Sequence, residues 1–210
     1  MNIFGTQHLA LFIVSGLLLA ITPGQDTLYI VGRTVSQGRR AGLLSVLGIV
    51  TGCAVHAVAA ASGLSAVLAT STQAFVAVKM AGAAYLCYLG AQMLLERAHH
   101  AGPAKHFAHE SGWAIFRAGM LTNVMNPKVA LFFMAFLPQF VSPAAGSRMM
   151  ALLFLGAVFI FNGALWCLIL VWSASAVSDR LRTGHASGRL LKRATGALFV
   201  GLGVRLAVSG

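Results

Sequence analysis

The residues best placed to do chemistry in this chain are a carboxylate and an amine, each next to a proline inside a long apolar run. Asp26 lies three residues past Pro23 in Thr22-Pro23-Gly24-Gln25-Asp26-Thr27, and Lys128 follows Pro127 in Asn126-Pro127-Lys128. A proline within a helix removes one backbone hydrogen bond and clashes with the preceding turn. In hydrocarbon the freed carbonyl must be satisfied by protein, water or ligand. Pro23, Gly24 and Pro127 are therefore expected to break their helices and gather hydrogen-bonding groups at membrane depth. Of the acidic residues, Glu96 and Asp179 sit at the ends of runs and Glu110 in a connector, which leaves Asp26 as the acid inside a run. A carboxylate there costs at least about 2.5–3.5 kcal/mol and normally faces a cavity or a cation. Lys128 is its natural counterpart. Two arrangements answer to this pattern: the charges pair or jointly hold a zwitterion, or each snorkels to its nearest interface. Asn123 and Asn126, with Gln25 and Tyr29 on the facing half, complete the expected substrate-binding set around Asp26 and Lys128.

Composition supplies the setting. The 210 residues are 58% apolar and only 9% charged, with a mean hydropathy of +0.83, whereas a soluble domain carries about 25% charged residues. A soluble enzyme and a disordered chain are both excluded. The net charge of +11 does not signal nucleic-acid binding, because the basic residues fall in short gaps between apolar runs. In a membrane protein it reports orientation and contact with anionic lipid. Cys53, Cys87 and Cys167 sit one per run and read as small buried hydrophobes. His99, His100, His106 and His109 lie in a Gly-Pro-Ala stretch without an acidic or thiol scaffold and read as a solvated loop, so neither a metal site nor a cofactor is expected. There is no GxSxG, HExxH or P-loop, and hence no catalytic site. His56 and Asn162 read as interhelical hydrogen-bonding groups.

A transmembrane helix takes about 20 residues, and six runs of suitable length follow one another: about 8–32, 41–69, 75–95, 113–141, 149–177 and 190–209. The last is the weakest, and five spans remain an alternative. Eleven basic residues, from Arg33 to Arg193, are assigned to the odd connectors, against Lys79, Arg148 and, at a stretch, Arg205 in the even connectors and ends. The positive-inside rule then puts the odd connectors in the cytoplasm and both termini outside. Gly48-x-x-x-Gly52 lets helix backbones approach closely, within one chain or between two copies in a homodimer.

The halves resemble one another. Each has three runs, the first of each carries a central proline, and Lys79-Met80-Ala81-Gly82-Ala83-Ala84-Tyr85 parallels Arg193-Ala194-Thr195-Gly196-Ala197-Leu198-Phe199. A three-span unit must insert in opposite directions in its two copies, which is the inverted-repeat plan of secondary transporters. The expected fold is thus all-α: a single polytopic transport domain of six transmembrane helices. It comprises repeat A (about 1–96), a loop (97–112) and repeat B (about 113–210), with the first and fourth spans broken at proline.

Thr22-Pro23-Gly24-x-Asp26, Lys79-x-x-Gly82-x-x-Tyr85-Leu86-x-x-Leu89-Gly90, and Asn126-Pro127-Lys128-x-x-Leu131-Phe132-Phe133 with Phe136-Leu137-Pro138-Gln139-Phe140 resemble the lysine-exporter (LysE/RhtB-type) family of amino-acid efflux proteins. One departure is Gln25, which stands where the family usually has a second proline and bears on the backbone of the break and on selectivity. The resemblance implies export of amino acids or close derivatives by proton-coupled exchange across a bacterial inner membrane. The rival reading is a heavy-metal exporter, suggested by the His-rich loop, the eight Met and the membrane Cys.

Overall fold

The computed structural model describes residues 3–70, 108–142 and 144–176, with isolated helical positions at 73, 77, 80, 84, 87, 88 and 91. The sixth expected run lies outside the described residues, as do most of the third and most of the 97–112 connector. The described chain is helical. Helix α1 spans Leu9–Ile21, α2 Gln25–Thr70, α3 Gly112–Val124, α4 Pro127–Ala135 and α5 Arg148–Ala176, with a 3-10 turn at Leu137–Phe140 after α4. The sole bridge of β type among the described residues joins Thr6 to Val141.

Proline chemistry places both breaks. A residue before proline is pushed out of the helical region, and Thr22 (φ −64°, ψ 119°) ends α1 while Asn126 (φ −80°, ψ 105°) separates α3 from α4. Pro127 then occupies the first turn of α4, where its missing N–H costs nothing. The axes of Gly112–Val124 and Pro127–Phe140 differ by 51°. The first and fourth runs are broken where expected.

Helix α2 is not straight. Gly38 has φ 82° and ψ 179°, a conformation open to glycine and strained for other residues. The chain doubles back there. A Cβ on Gly42 would collide with Thr34 Oγ1, and Tyr29 and Ile30 share a buried cluster with Val46, Ile49 and Val171. In a straight helix positions 30 and 49 would lie about 28 Å apart at about 1.5 Å per residue. The two limbs of α2 are the end of the first run and the whole of the second, and the connector between them is a single-glycine turn. By length and composition alone, and among the described residues, α5 and Gln25–Gly63, which is counted through the turn at Gly38, suffice to cross a membrane, and the bent α3–α4 pair makes a third candidate. Leu47, Val58, Phe161 and Ile169 point outward from these helices, as lipid-facing residues do.

One end of the bundle is tied by Gln7 N–H donating to Phe140 O (2.8 Å) and Ser142 N–H to Gly5 O (2.8 Å). Above it, Phe12, Phe132, Phe136, Phe140 and Phe159 join α1, α4 and α5, with ring centroids 4.6 Å apart for Phe132–Phe136 and 4.8 Å for Phe132–Phe159. The opposite end is polar. Arg33, expected as a basic residue of the first connector, is only 3% exposed. It pairs with Glu110 Oε1 at 2.8 Å and donates to Gln37 Oε1 (2.7 Å) and Ala108 O (3.0 Å), while Arg39 stacks 3.7 Å above the Trp172 ring. The first connector, the end of the third and the end of α5 thus share one face, as alternating passes require.

The Gly48-x-x-x-Gly52 stripe packs within the chain. A Cβ on Gly48 would collide with Phe116 O and lie 2.8 Å from Met120 N, and one on Gly52 would lie 2.8 Å from Asn123 Cβ.

 A Cβ built on Gly119 would stand 3.0 Å from Ser45 O and 3.6 Å from Gly48 Cα, so the two backbones meet through three glycines. Because this stripe is spent on α2–α3 contact, it offers no surface for a homodimer. Overpacking such a contact costs about 1–3 kcal/mol. Gly48→Ala is therefore expected to lower the thermal unfolding midpoint of the purified protein in detergent. Gly63→Ala, where an added methyl meets nothing within 4 Å, should leave the midpoint level or raise it.

Candidate functional site

The two breaks face one another. Pro23 has no N–H to give Leu19 O, the carbonyl four residues before it, and Thr22 O lies beyond the last turn of α1. Lys128 Nζ donates to both, at 3.2 Å each. An ammonium at a helix C-terminus also meets the negative end of the helix dipole. Gly24 makes room for it: a Cβ there would stand 3.3 Å from Lys128 Nζ.

Asp26 sits in the first turn of α2, where a carboxylate meets the positive end of the dipole. Its Oδ2 accepts from Asn123 Nδ2 at 2.8 Å and from Asn126 Nδ2 at 3.2 Å, while its Oδ1 is buried with no hydrogen-bond partner among the described residues. Asn126 does two jobs. Its Oδ1 caps α4 by accepting from Lys128 N–H at 3.1 Å, which turns its amide nitrogen toward Asp26. Asn123 is fully buried and held from behind, since His56 Nε2 donates to Asn123 O at 3.1 Å and the His56 ring stacks on Phe133. That bond is the interhelical role expected of His56.

Asp26 and Lys128 do not form a salt bridge among the described residues. Each is anchored by neutral groups of the opposite break, and both line one cavity that is open at its mouth. Thr22, Gly24, Thr27 and Asn126 share that polar wall. The other walls are apolar: Ile49, Val50 and Cys53 from the second limb of α2, and Phe159, Ile160, Gly163, Ala164 and Cys167 from α5.

Not every expected site residue arrives there. Asp26, Lys128, Asn126 and Gly24 line the cavity, and Asn123 supports Asp26 from outside its lining. Gln25 does not line it; one position before Asp26 means about 100° around the helix, and its side chain is exposed. Tyr29 does not line it either. One turn further on, α2 packs directly on α3, with Tyr29 Cε1 3.2 Å from where a Gly119 Cβ would stand, and the hydroxyl donates to Ile115 O at 2.7 Å. Pro23 and Pro127 are exposed breakers rather than lining residues. The α5 wall was missed in the sequence. Its signal was faint: Gly163-Ala164 interrupts an otherwise bulky apolar helix. Cys53 and Cys167, read as small buried hydrophobes, are free thiols that line the cavity.

A family model described as LysE type translocator matches residues 17–210, a range that holds both breaks and every lining residue. The chain belongs to that family. Its relatives include the uncharacterised membrane protein YrhP of Bacillus subtilis (strain 168), 29% identical across 97% of this chain and 100% of that protein. A leucine efflux protein of Enterobacter sp. (strain 638) is 28% identical across 97% of both chains. A leucine efflux protein of Salmonella choleraesuis (strain SC-B67) is 26% identical across 97% of this chain and 96% of its own. No solved structure matches. Membership of the LysE type translocators makes this a membrane transporter rather than an enzyme, and the resemblance drawn from Thr-Pro-Gly and Asn-Pro-Lys stands.

The anchoring has a measurable cost when removed. Loss of a helix N-cap costs about 0.5–2 kcal/mol, and a buried group left without its partner about 1–3 kcal/mol. Asn126→Ala and Lys128→Met are expected to lower the unfolding midpoint in detergent, and Gln25→Ala to leave it unchanged.

Proposed function

We propose that this protein exports aliphatic amino acids across the bacterial cytoplasmic membrane by proton-coupled alternating access. The observation that carries the reading is the meeting of a carboxylate and an ammonium, from two proline breaks, on one cavity whose remaining walls are apolar. A free amino acid presents the complementary set: an ammonium, a carboxylate and a side chain. The leucine efflux proteins aligned over nearly the whole chain support the same substrate class.

In this mechanism Asp26 receives the substrate ammonium at Oδ1, the oxygen its two asparagines leave unused. Lys128 spends two N–H groups on α1 carbonyls and offers its third to the substrate carboxylate, helped by the dipole at the start of α4. A proton and the substrate ammonium compete for the same carboxylate, which supplies a chemical basis for exchange. Access alternates as two inverted three-helix repeats, about 1–96 and 113–210, rock around the breaks. The arginine-bearing connector at Gly38 faces the cytoplasm and both termini face the periplasm, following the distribution of basic residues. The heavy-metal alternative is not favoured: an ammonium in the cavity repels a metal cation, and the relatives named for a substrate are named for leucine.

The test is leucine efflux from cells loaded with a leucine-containing dipeptide. Removing one partner of a charged hydrogen bond costs about 1.5–3 kcal/mol, so Asp26→Asn and Lys128→Met should each slow efflux by about 10- to 100-fold at matched membrane abundance. Wild-type rates in both variants would overturn the reading.

A further inference from the structure

The helical glycines among the described residues divide into those packed against a neighbouring element and those that are not. Gly48, Gly52 and Gly119 bring α2 and α3 together, and Gly16 admits the Phe159 ring at 3.1 Å from its Cβ position. Gly156 of α5 lies against α2, where an added Cβ would come within 2.8 Å of Ala57 Cβ. Each of these is a glycine because a neighbouring element needs the space. Gly63 meets nothing within 4 Å but does not line the cavity; Gly163 is different. It lies two turns beyond Gly156, seven residues on and so close to the same face of α5, yet a Cβ built on it meets nothing within 4 Å.

The α2 and α5 backbones are therefore in contact at the level of Gly156, while Gly163 borders the cavity. No packing contact among the described residues requires a glycine at 163. What its missing side chain provides is room beside Ile160, Ala164 and Cys167, facing the aliphatic residues Ile49 and Val50 of the opposite wall. This is the apolar part of a cavity whose polar wall is made by Asp26, Asn126 and Lys128.

We infer that Gly163 is the specificity-determining residue for substrate side-chain size: the space above its Cα holds the branched aliphatic end of the amino acid while the two helix breaks hold its ammonium and carboxylate. The inference rests on the amino-acid export reading and deepens it. A methyl introduced at 163, a cavity-lining position, meets no described atom within 4 Å, so it narrows the pocket rather than disrupting the bundle. It leaves the groups that bind the ammonium and carboxylate untouched. Selectivity should then move toward smaller amino acids in proportion to the volume added.

The test compares leucine and alanine efflux from cells loaded with leucine- and alanine-containing dipeptides and carrying wild type, Gly163→Ala, Gly163→Ser or Gly163→Val at matched membrane abundance. The size of one methylene in an apolar pocket discriminates by about 10-fold or more. The leucine-to-alanine ratio is expected to fall about 10-fold in Gly163→Ala and Gly163→Ser and further in Gly163→Val, with alanine efflux the better preserved. An unchanged ratio in all three variants, or equal loss of both solutes in all three, would overturn the inference. The export reading fails separately, and is recognised by wild type exporting neither solute above cells that lack the protein.

Discussion

Pro23 takes away the N–H that would have served Leu19 O, and a buried carbonyl so freed needs another donor. The donor that replaces it is the Lys128 ammonium, brought from a second proline break in the other half of the chain. Much of the site's geometry follows from that exchange. Because Lys128 reaches back to the end of α1, α4 must start beside it, and Asn126 must sit between the breaks to cap that helix. Once Asn126 Oδ1 is committed to the cap, its amide nitrogen is left to meet Asp26. The ordinary requirement that buried backbone groups find partners thus assembles a carboxylate and an ammonium around one space without joining them as a salt bridge.

A second constraint holds that arrangement from behind. Asn123 can reach Asp26 because α3 lies almost on the backbone of α2, and it lies there because Gly48, Gly52 and Gly119 carry no side chains. His56, one turn beyond Gly52, fastens the same asparagine through its backbone carbonyl. Close packing and polar satisfaction are here the same feature seen from two sides. The glycines bring the amide within range, and the amide holds the carboxylate at the cavity wall.

The sequence made the breaks legible because proline lacks its N–H whatever surrounds it. It also made Asp26 and Lys128 legible, since a formal charge inside an apolar run demands an explanation wherever it points. What remained hidden was direction. Asp26 and Lys128 attract one another in a linear reading, but the orphaned carbonyls of α1 compete for the ammonium, and the asparagines supply the carboxylate. Gln25 and Tyr29 are polar neighbours of Asp26 in the chain, yet the helix turns one outward and seats the other on α3. The apolar cavity wall was harder still, because Ile160 and Cys167 carry no mark that separates a residue facing a cavity from one facing lipid. The doubling back at Gly38 was anticipated as a connector, though not as one only a glycine long, nor as one that buries Arg33 against Glu110.

The hydrogen bonds that join the two breaks span from 97 to 109 residues of sequence. During synthesis the chain is made from one end, so α1 and α2 enter the bilayer while the asparagines and the lysine do not yet exist. For that interval Leu19 O and the Asp26 carboxylate lack the partners they have in the folded protein, and the first break cannot take its final shape. The early half of the protein is in this sense born with an open wound that only its late half can dress.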